Sequence, residues 1–135
     1  MNYALNSKEK LAVASTTLDA SPKTAKVICK QINRKSFAEA KIFMNKLVEH
    51  DVSIDGKFHN TAAEGILRLL GGLETNARHK KTLHEGAKLM ISAHMGPKMM
   101  RGRRKRRFGM LMKNASVQAI LMPGKPKEAI KEKKQ

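Results

Sequence analysis

The spacing of apolar residues changes period twice along this chain. From Leu11 to Leu18 (LAVASTTL) small and β-branched residues dominate, and Leu11 and Val13 alternate against Ala12 and Ala14, which predicts a strand. After Ser21 the period becomes helical: Ala25, Ile28, Cys29 and Ile32 recur on one face, while Lys23, Lys26, Lys30 and Arg34 lie away from it. Ser21 reads as the N-cap, and Pro22 as the first helical residue, where a missing N–H costs nothing. Ser36-Phe37-Ala38-Glu39 reads as a capping box, S-x-x-E, opening a second helix with Ala40, Phe43, Met44, Leu47 and Val48 on one stripe and an end near His50-Asp51. A loop over 52–59 carries the turn signal Asp55-Gly56. A second capping box, Thr61 to Glu64, is expected to start a third helix with Ile66, Leu69, Leu70, Leu73 and Ala77 on its apolar face and Arg68 off it. Gly65, Gly71 and Gly72 each weaken that helix by ~1 kcal/mol relative to alanine, a cost that close packing against a neighbour would explain.

Period two then returns. Across the polar link 76–85, Leu89, Ile91, Ala93 and Met95 fall on one face of an extended chain, as do Val117, Ala119 and Leu121 further on. Two such runs around a glycine-containing stretch predict a hairpin over 87–122, with arms of ~40 Å if regular at ~3.3 Å per residue. The fold class is therefore α+β: a small antiparallel three-stranded sheet packed on three helices, with a long protruding basic β-hairpin. The expected organisation is a loose segment 1–10, one domain over 11–122, and a basic tail over 123–135 too polar to pack.

Charge changes the picture most in the hairpin. Arg101, Arg103, Arg104, Lys105, Arg106 and Arg107 make six cations in seven residues, flanked by Lys98 and Lys113, and no Asp or Glu occurs between Glu85 and Glu128. Like charges this dense repel one another and call for a polyanion. The whole chain, 135 residues, carries a formal charge of +17, which makes RNA or DNA the default partner. Five aromatic residues and no Trp argue against recognition by base stacking and for recognition of backbone and shape. No segment has the ~18 consecutive apolar residues of a membrane span, and the single cysteine, Cys29, cannot form an intramolecular disulfide and reads as a small core residue.

The sequence supplies little for catalysis. His50, His59, His79, His84 and His94 show no metal-ligand spacing, and the glycines form neither a G-x-x-x-x-G-K-[ST] loop nor a G-x-G-x-x-G turn. The carboxylates mostly cap helices. No enzymatic role, metal or cofactor is expected.

Three motifs in order carry a resemblance: Ser21-Pro22-Lys23 opening a first helix, Arg34-Lys35-Ser36-Phe37-Ala38-Glu39-Ala40, and Ala93-His94-Met95-Gly96-Pro97 leading into an arginine-rich hairpin. Leu73-Glu74-Thr75-Asn76-Ala77 is similar to the N-A-x-A-N-A that closes a third helix in the same family. Over roughly 11–122 the chain resembles the large-subunit ribosomal proteins numbered twenty-two, called seventeen in eukaryotic nomenclature. It lacks that family's glycine between Arg34 and Ser36. The resemblance implies an α+β body near the peptide exit of the cytoplasmic large subunit, with a hairpin threading through ribosomal RNA to the tunnel wall. It implies large-subunit rRNA, neighbouring ribosomal proteins and the nascent polypeptide as partners, and neither a membrane nor a second copy of the chain. The residues expected to meet rRNA are Lys23, Lys98, Arg101, Arg103, Arg104, Lys105, Arg106, Arg107 and Lys113. The rival reading is an architectural DNA-binding protein whose β-arm wraps a minor groove with Phe108 as its wedge.

Overall fold

The computed structural model describes residue 5 and residues 10–103 and 106–124. Its elements run β1 (Ala12–Leu18), α1 (Pro22–Ile32), α2 (Phe37–Val48), α3 (Asn60–His79), β2 (Lys88–Met95) and β3 (Ala115–Met122). The last strand in sequence is the central one, so the sheet order is β1-β3-β2 with both pairs antiparallel. Register runs from Ala12↔Leu121 to Leu18↔Ala115 on one side of β3, and from Lys88↔Met122 to Met95↔Ala115 on the other. The three helices cover one sheet face. Leu89, Ile91, Ala93, Val117, Ala119 and Leu121 point into a core with Ile28, Ile32, Met44, Leu47, Ile66, Leu70 and Leu73. The expected α+β architecture is the observed one.

Within β1 it is Ala12, Ala14 and Leu18 that face the helices. Ala12 and Leu18 are buried in the core, whereas Val13 lies on the opposite face with Ile120 and Gln118. Helix α3 passes so close to this face that a Cβ at Gly65 would stand 2.5 Å from Leu18 Cδ2. Gly65 therefore does serve close packing; Gly71 and Gly72 face open space instead. On the far face Gln118 binds the main chain of Leu5 in both directions, accepting from its N–H at 3.3 Å and donating to its carbonyl at 3.4 Å. Leu5 is thus tied to the sheet, although it falls in the stretch read as loose; residues 1–4 and 6–9, like the tail 125–135, lie outside the described residues.

The helix ends differ in detail from the sequence signals. Ser21 holds the N-cap position without a side-chain bond, and Ser36 Oγ accepts from Glu39 N–H at 3.3 Å, which is the first half of the expected box. The box read at Thr61 is not a cap. Helix α3 starts at Asn60, with its N-cap at His59, two residues before Thr61 and left-handed with φ 50°. That turn is held from the side, where His50 stacks on the Phe58 ring at 4.5 Å and pairs with Asn60 Oδ1 at 2.8 Å. Helix α3 also continues through Asn76 to His79, into the stretch read as a link.

Regular β2–β3 pairing stops at Met95 and Ala115, eight residues per strand, well short of the ~40 Å arms the alternation predicts at ~3.3 Å per residue. Gly96 N–H still donates to Asn114 O at 3.2 Å, but the next bonds are Met112 N–H to Met99 O at 2.8 Å and Arg101 N–H to Met110 O at 3.0 Å. Pairing has slipped by one residue, with the extra residue in the outgoing segment at Pro97-Lys98, a β-bulge. Specific contacts accompany the slip. The buried Asn114 donates its side-chain amide to Pro97 O at 2.7 Å, tying the outgoing segment down at the bulge. Gly96 is bare because a Cβ there would collide with Asn114 Oδ1. Met95, read as an inward residue, is 81% exposed at this point where the ladder leaves the helices.

Cys29 is buried, and burial pushes its thiol up to about 12, as a small core residue requires. Glu74 on α3 joins Lys41 of α2 and Arg78 of its own helix. The Lys41 hydrogen bond, opposed by partial burial and aided by both neighbouring charges, holds the Glu74 carboxyl below its usual value. A depressed carboxylate contributes stability above its unfolded pKa of ~4.3 and loses it as pH falls through the lower folded value. Glu74→Gln should therefore destabilise at neutral pH, by no more than about 1 kcal/mol because Arg78 is largely and Lys41 partly exposed. Paired denaturation curves should show the difference shrinking as pH falls below about 4.

Candidate nucleic-acid interface

The predicted cations divide between two places that the sheet brings to one end of the molecule. Lys98, Arg103, Arg106, Arg107 and Lys113 are exposed along the segment between β2 and β3, and Arg101 is half-buried with its N–H in the pairing. Arg104 and Lys105 lie outside the described residues. Between these cations stand exposed Met99, Met100, Phe108, Met110 and Leu111, with Met100 bridged to Leu111. Gly109, at φ 80°, supplies the left-handed turn of the return path. Among the described residues the only ion pairs are those of Glu74, so these cations are uncompensated.

Lys23 sits on α1, apart from that segment in sequence but not in direction. Helix α1 starts just after β1 ends at Leu18, the residue paired with Ala115, which in turn pairs with Met95. The start of α1 and the root of the hairpin therefore share one end of the sheet. From Lys23 the exposed stripe continues through Lys26 and Lys30 at three- and four-residue steps, and then to Arg34 beyond the helix.

The stripe borders the outer edge of β2. That edge is closed in its first half by the α1–α2 connection: Leu89 N–H donates to Lys35 O at 2.9 Å, and Arg34 N–H to Leu89 O at 2.8 Å. Asn33 Oδ1 accepts from Ile91 N–H at 3.2 Å. Arg34 makes the necessary turn at φ 64° without a glycine, held by these bonds on both sides. Strand alternation turns the next outward N–H, that of Ala93, into a cleft of about 280 Å³ lined by Lys26, Cys29, Lys30, Asn33 and the run from Ile91 to His94. His94 Nε2 lies 3.4 Å from Ser92 Oγ at its rim. Two lysines, an N–H donor, a hydroxyl and an imidazole are a donor set suited to phosphate.

The lysine spacing on α1 is readable in the sequence, but the place of Lys26, Lys30 and Arg34 in a site is not. Their meaning depends on the neighbouring strand, and nothing in a linear pattern places α1 beside β2. His94 is exposed at that same rim. Among the described residues there is no cluster of three or more His, Cys, Asp or Glu able to hold a metal, and no helix long and apolar enough to cross a membrane. Compared with known proteins, the chain matches no family model and no curated sequence.

If α1 and the hairpin form one phosphate-binding track, each should carry its own share of the salt dependence. The double change Lys26→Ala, Lys30→Ala should lower the slope of log K against log salt by ~0.7–0.9 for each phosphate no longer neutralised. It should leave the melting temperature nearly unchanged, since both side chains are exposed. Filter binding to structured RNA at several salt concentrations measures the slope; an unchanged slope would restrict the interface to the hairpin.

Proposed function

We propose that this protein is a structural constituent of the large ribosomal subunit, binding its rRNA through the hairpin cations and the α1 stripe. The observation that carries the reading is a basic track with no local counter-charge, rooted on a self-sufficient α+β body. Folding alone does not need such a track. Repulsion among its cations opposes folding, and only a polyanion relieves it. Arginines dominate the hairpin, and their planar forks engage phosphates bidentately. The order of strand, three helices and basic hairpin agrees with the family that the sequence motifs resemble. In that reading the body lies near the tunnel exit beside other ribosomal proteins, and the tip, an arginine block flanked by methionines, reaches rRNA and the nascent chain. The role is assembly and support of translation, with no catalytic step.

The architectural DNA-binding alternative retains one feature in its favour, the exposed Phe108 next to the cation run. Sedimentation separates the two. A tagged copy should travel with large subunits and resist moderate salt washes, and migration with nucleoid DNA would replace this proposal by the rival. A companion variant with residues 98–113 replaced by a short turn should melt cooperatively with nearly unchanged helical content, because among the described residues every buried one lies outside that range. That variant should no longer enter subunits. Normal incorporation without the segment would contradict the role assigned to it.

A further inference from the structure

The sheet has a second edge, which RNA binding leaves unused. Strand β1 lies outermost on the side away from β2. Its free edge faces α3 across a groove of about 960 Å³ that runs the length of the strand from Val13 to Asp19. The groove's helix side extends from Thr61 to Asn76. Fifteen steps of ~1.5 Å along α3 and six of ~3.3 Å along β1 give about the same length, so the two walls run side by side.

The edge is closed only at its start. Thr82 Oγ1 donates to Leu11 O at 3.4 Å, and Asn76 Nδ2 donates to Val13 O at 3.1 Å. The Val13 bond also fixes direction: carbonyl and N–H of Val13 point away from β3, and so by alternation do those of Ser15 and Thr17. Among the described residues nothing caps the latter two from the helix side. Edge strands are commonly guarded by lysine, proline or a bulge. The seven residues of β1, AVASTTL, contain no charge and no proline, in a chain of which 29% is charged. The facing helix surface is bare as well, because at Gly72 a Cβ would meet nothing within 4 Å.

We propose that this edge is a docking strand, to which an extended basic segment of another protein adds as a fourth strand. Ser15 and Thr17 supply the main-chain donors and acceptors. The space over Gly72 admits the small or β-branched side chains that point toward α3. Charge selects the occupant. Asp19 and Glu64 line the groove against the single cation Arg68, and neither carboxylate is ion-paired among the described residues. On a chain of net charge +17 this is a locally acidic strip, which repels a phosphate backbone and accepts lysine or arginine. The inference does not depend on which nucleic acid occupies the opposite edge.

The test uses the full chain and a capped heptapeptide alternating lysine with threonine and valine, at millimolar concentration, with amide hydrogen exchange read residue by residue. Exchange at Ser15 and Thr17 should slow by at least about tenfold, while the same peptide N-methylated at alternate residues should have no effect. Ser15→Pro deletes an outward donor where an edge strand tolerates proline, and Gly72→Leu fills the groove. Both variants should melt at or above the parent temperature and show no protection by the peptide. Unchanged exchange in the parent at millimolar peptide overturns the proposal. So does protection that survives N-methylation or Gly72→Leu, or protection given by an oligouridylate in place of the peptide, which would make the groove an RNA surface.

Discussion

Strand β3 is paired on both sides, and every surface of the molecule takes its position from it. Val117, Ala119 and Leu121 are fully buried against the helices, and Gln118 and Ile120 are buried on the other face. One strand thus joins the helical core to the far side of the sheet. A cavity there is costly: truncating a buried Leu or Ile to alanine removes about 2–5 kcal/mol, a large part of the ~5–15 kcal/mol that stabilises a typical domain. Because β3 comes last in sequence, the sheet closes only when its C-terminal strand inserts between β1 and β2. The hairpin before it is then anchored at its root, whatever its tip does.

That root is where core physics gives way to charge. Up to Met95 and Ala115 the ladder is held by apolar side chains on the helix face. Beyond it a buried asparagine bound to the proline carbonyl and a glycine without room for a side chain accompany a register shift of one residue. A one-residue slip reassigns side chains to opposite faces. Cations and methionines there are consequently both exposed, instead of being sorted into an inner and an outer face. Such a segment gains little from contact with its own body. Phosphates would supply the missing interactions through charge-assisted hydrogen bonds, and the α1 stripe extends the same chemistry along the edge of β2.

Much of this was legible in the chain because helices write their burial in a period that tolerates few exceptions. The stripes Ile28–Ile32, Met44–Leu47 and Ile66–Leu70–Leu73 all lie in the core, and Cys29 is the small buried residue its place on that stripe implies. The inward faces Leu89–Ala93 of β2 and Val117–Leu121 of β3 were equally plain, but the length of the hairpin and the place of Met95 were not. The unreadable parts depend on distant partners. Strand β1 turns Ala12 and Leu18 inward, and Leu18 fits against Gly65 of α3, a contact between residues far apart in sequence. The start of α3 is set by His50 and Phe58 holding a left-handed His59, and the nearby S/T-x-x-E pattern at Thr61 is then a coincidence of helix composition. The bulge at Pro97-Lys98 is written only as a proline and a glycine inside an alternating run. As for the site, the arginine block declared itself, whereas the cleft of Lys26, Lys30, Ser92 and His94 required the strand order to be known.

The central claim is that one end and one edge of this body, and not its whole basic surface, face ribosomal RNA. Lysine acetylation with a small amine-reactive ester, mapped by mass spectrometry on the free protein and on purified large subunits, tests it directly. All the lysines concerned are exposed in the free chain: Lys26 and Lys30 on α1, Lys98 and Lys113 at the hairpin, and Lys46 and Lys57 at the end of α2 and in the turn after it. The account predicts that Lys26, Lys30, Lys98 and Lys113 become protected in the subunit while Lys46 and Lys57 stay reactive. Protection of Lys46 and Lys57 with Lys26 and Lys30 left open would contradict it, and so would the absence of the protein from the subunits.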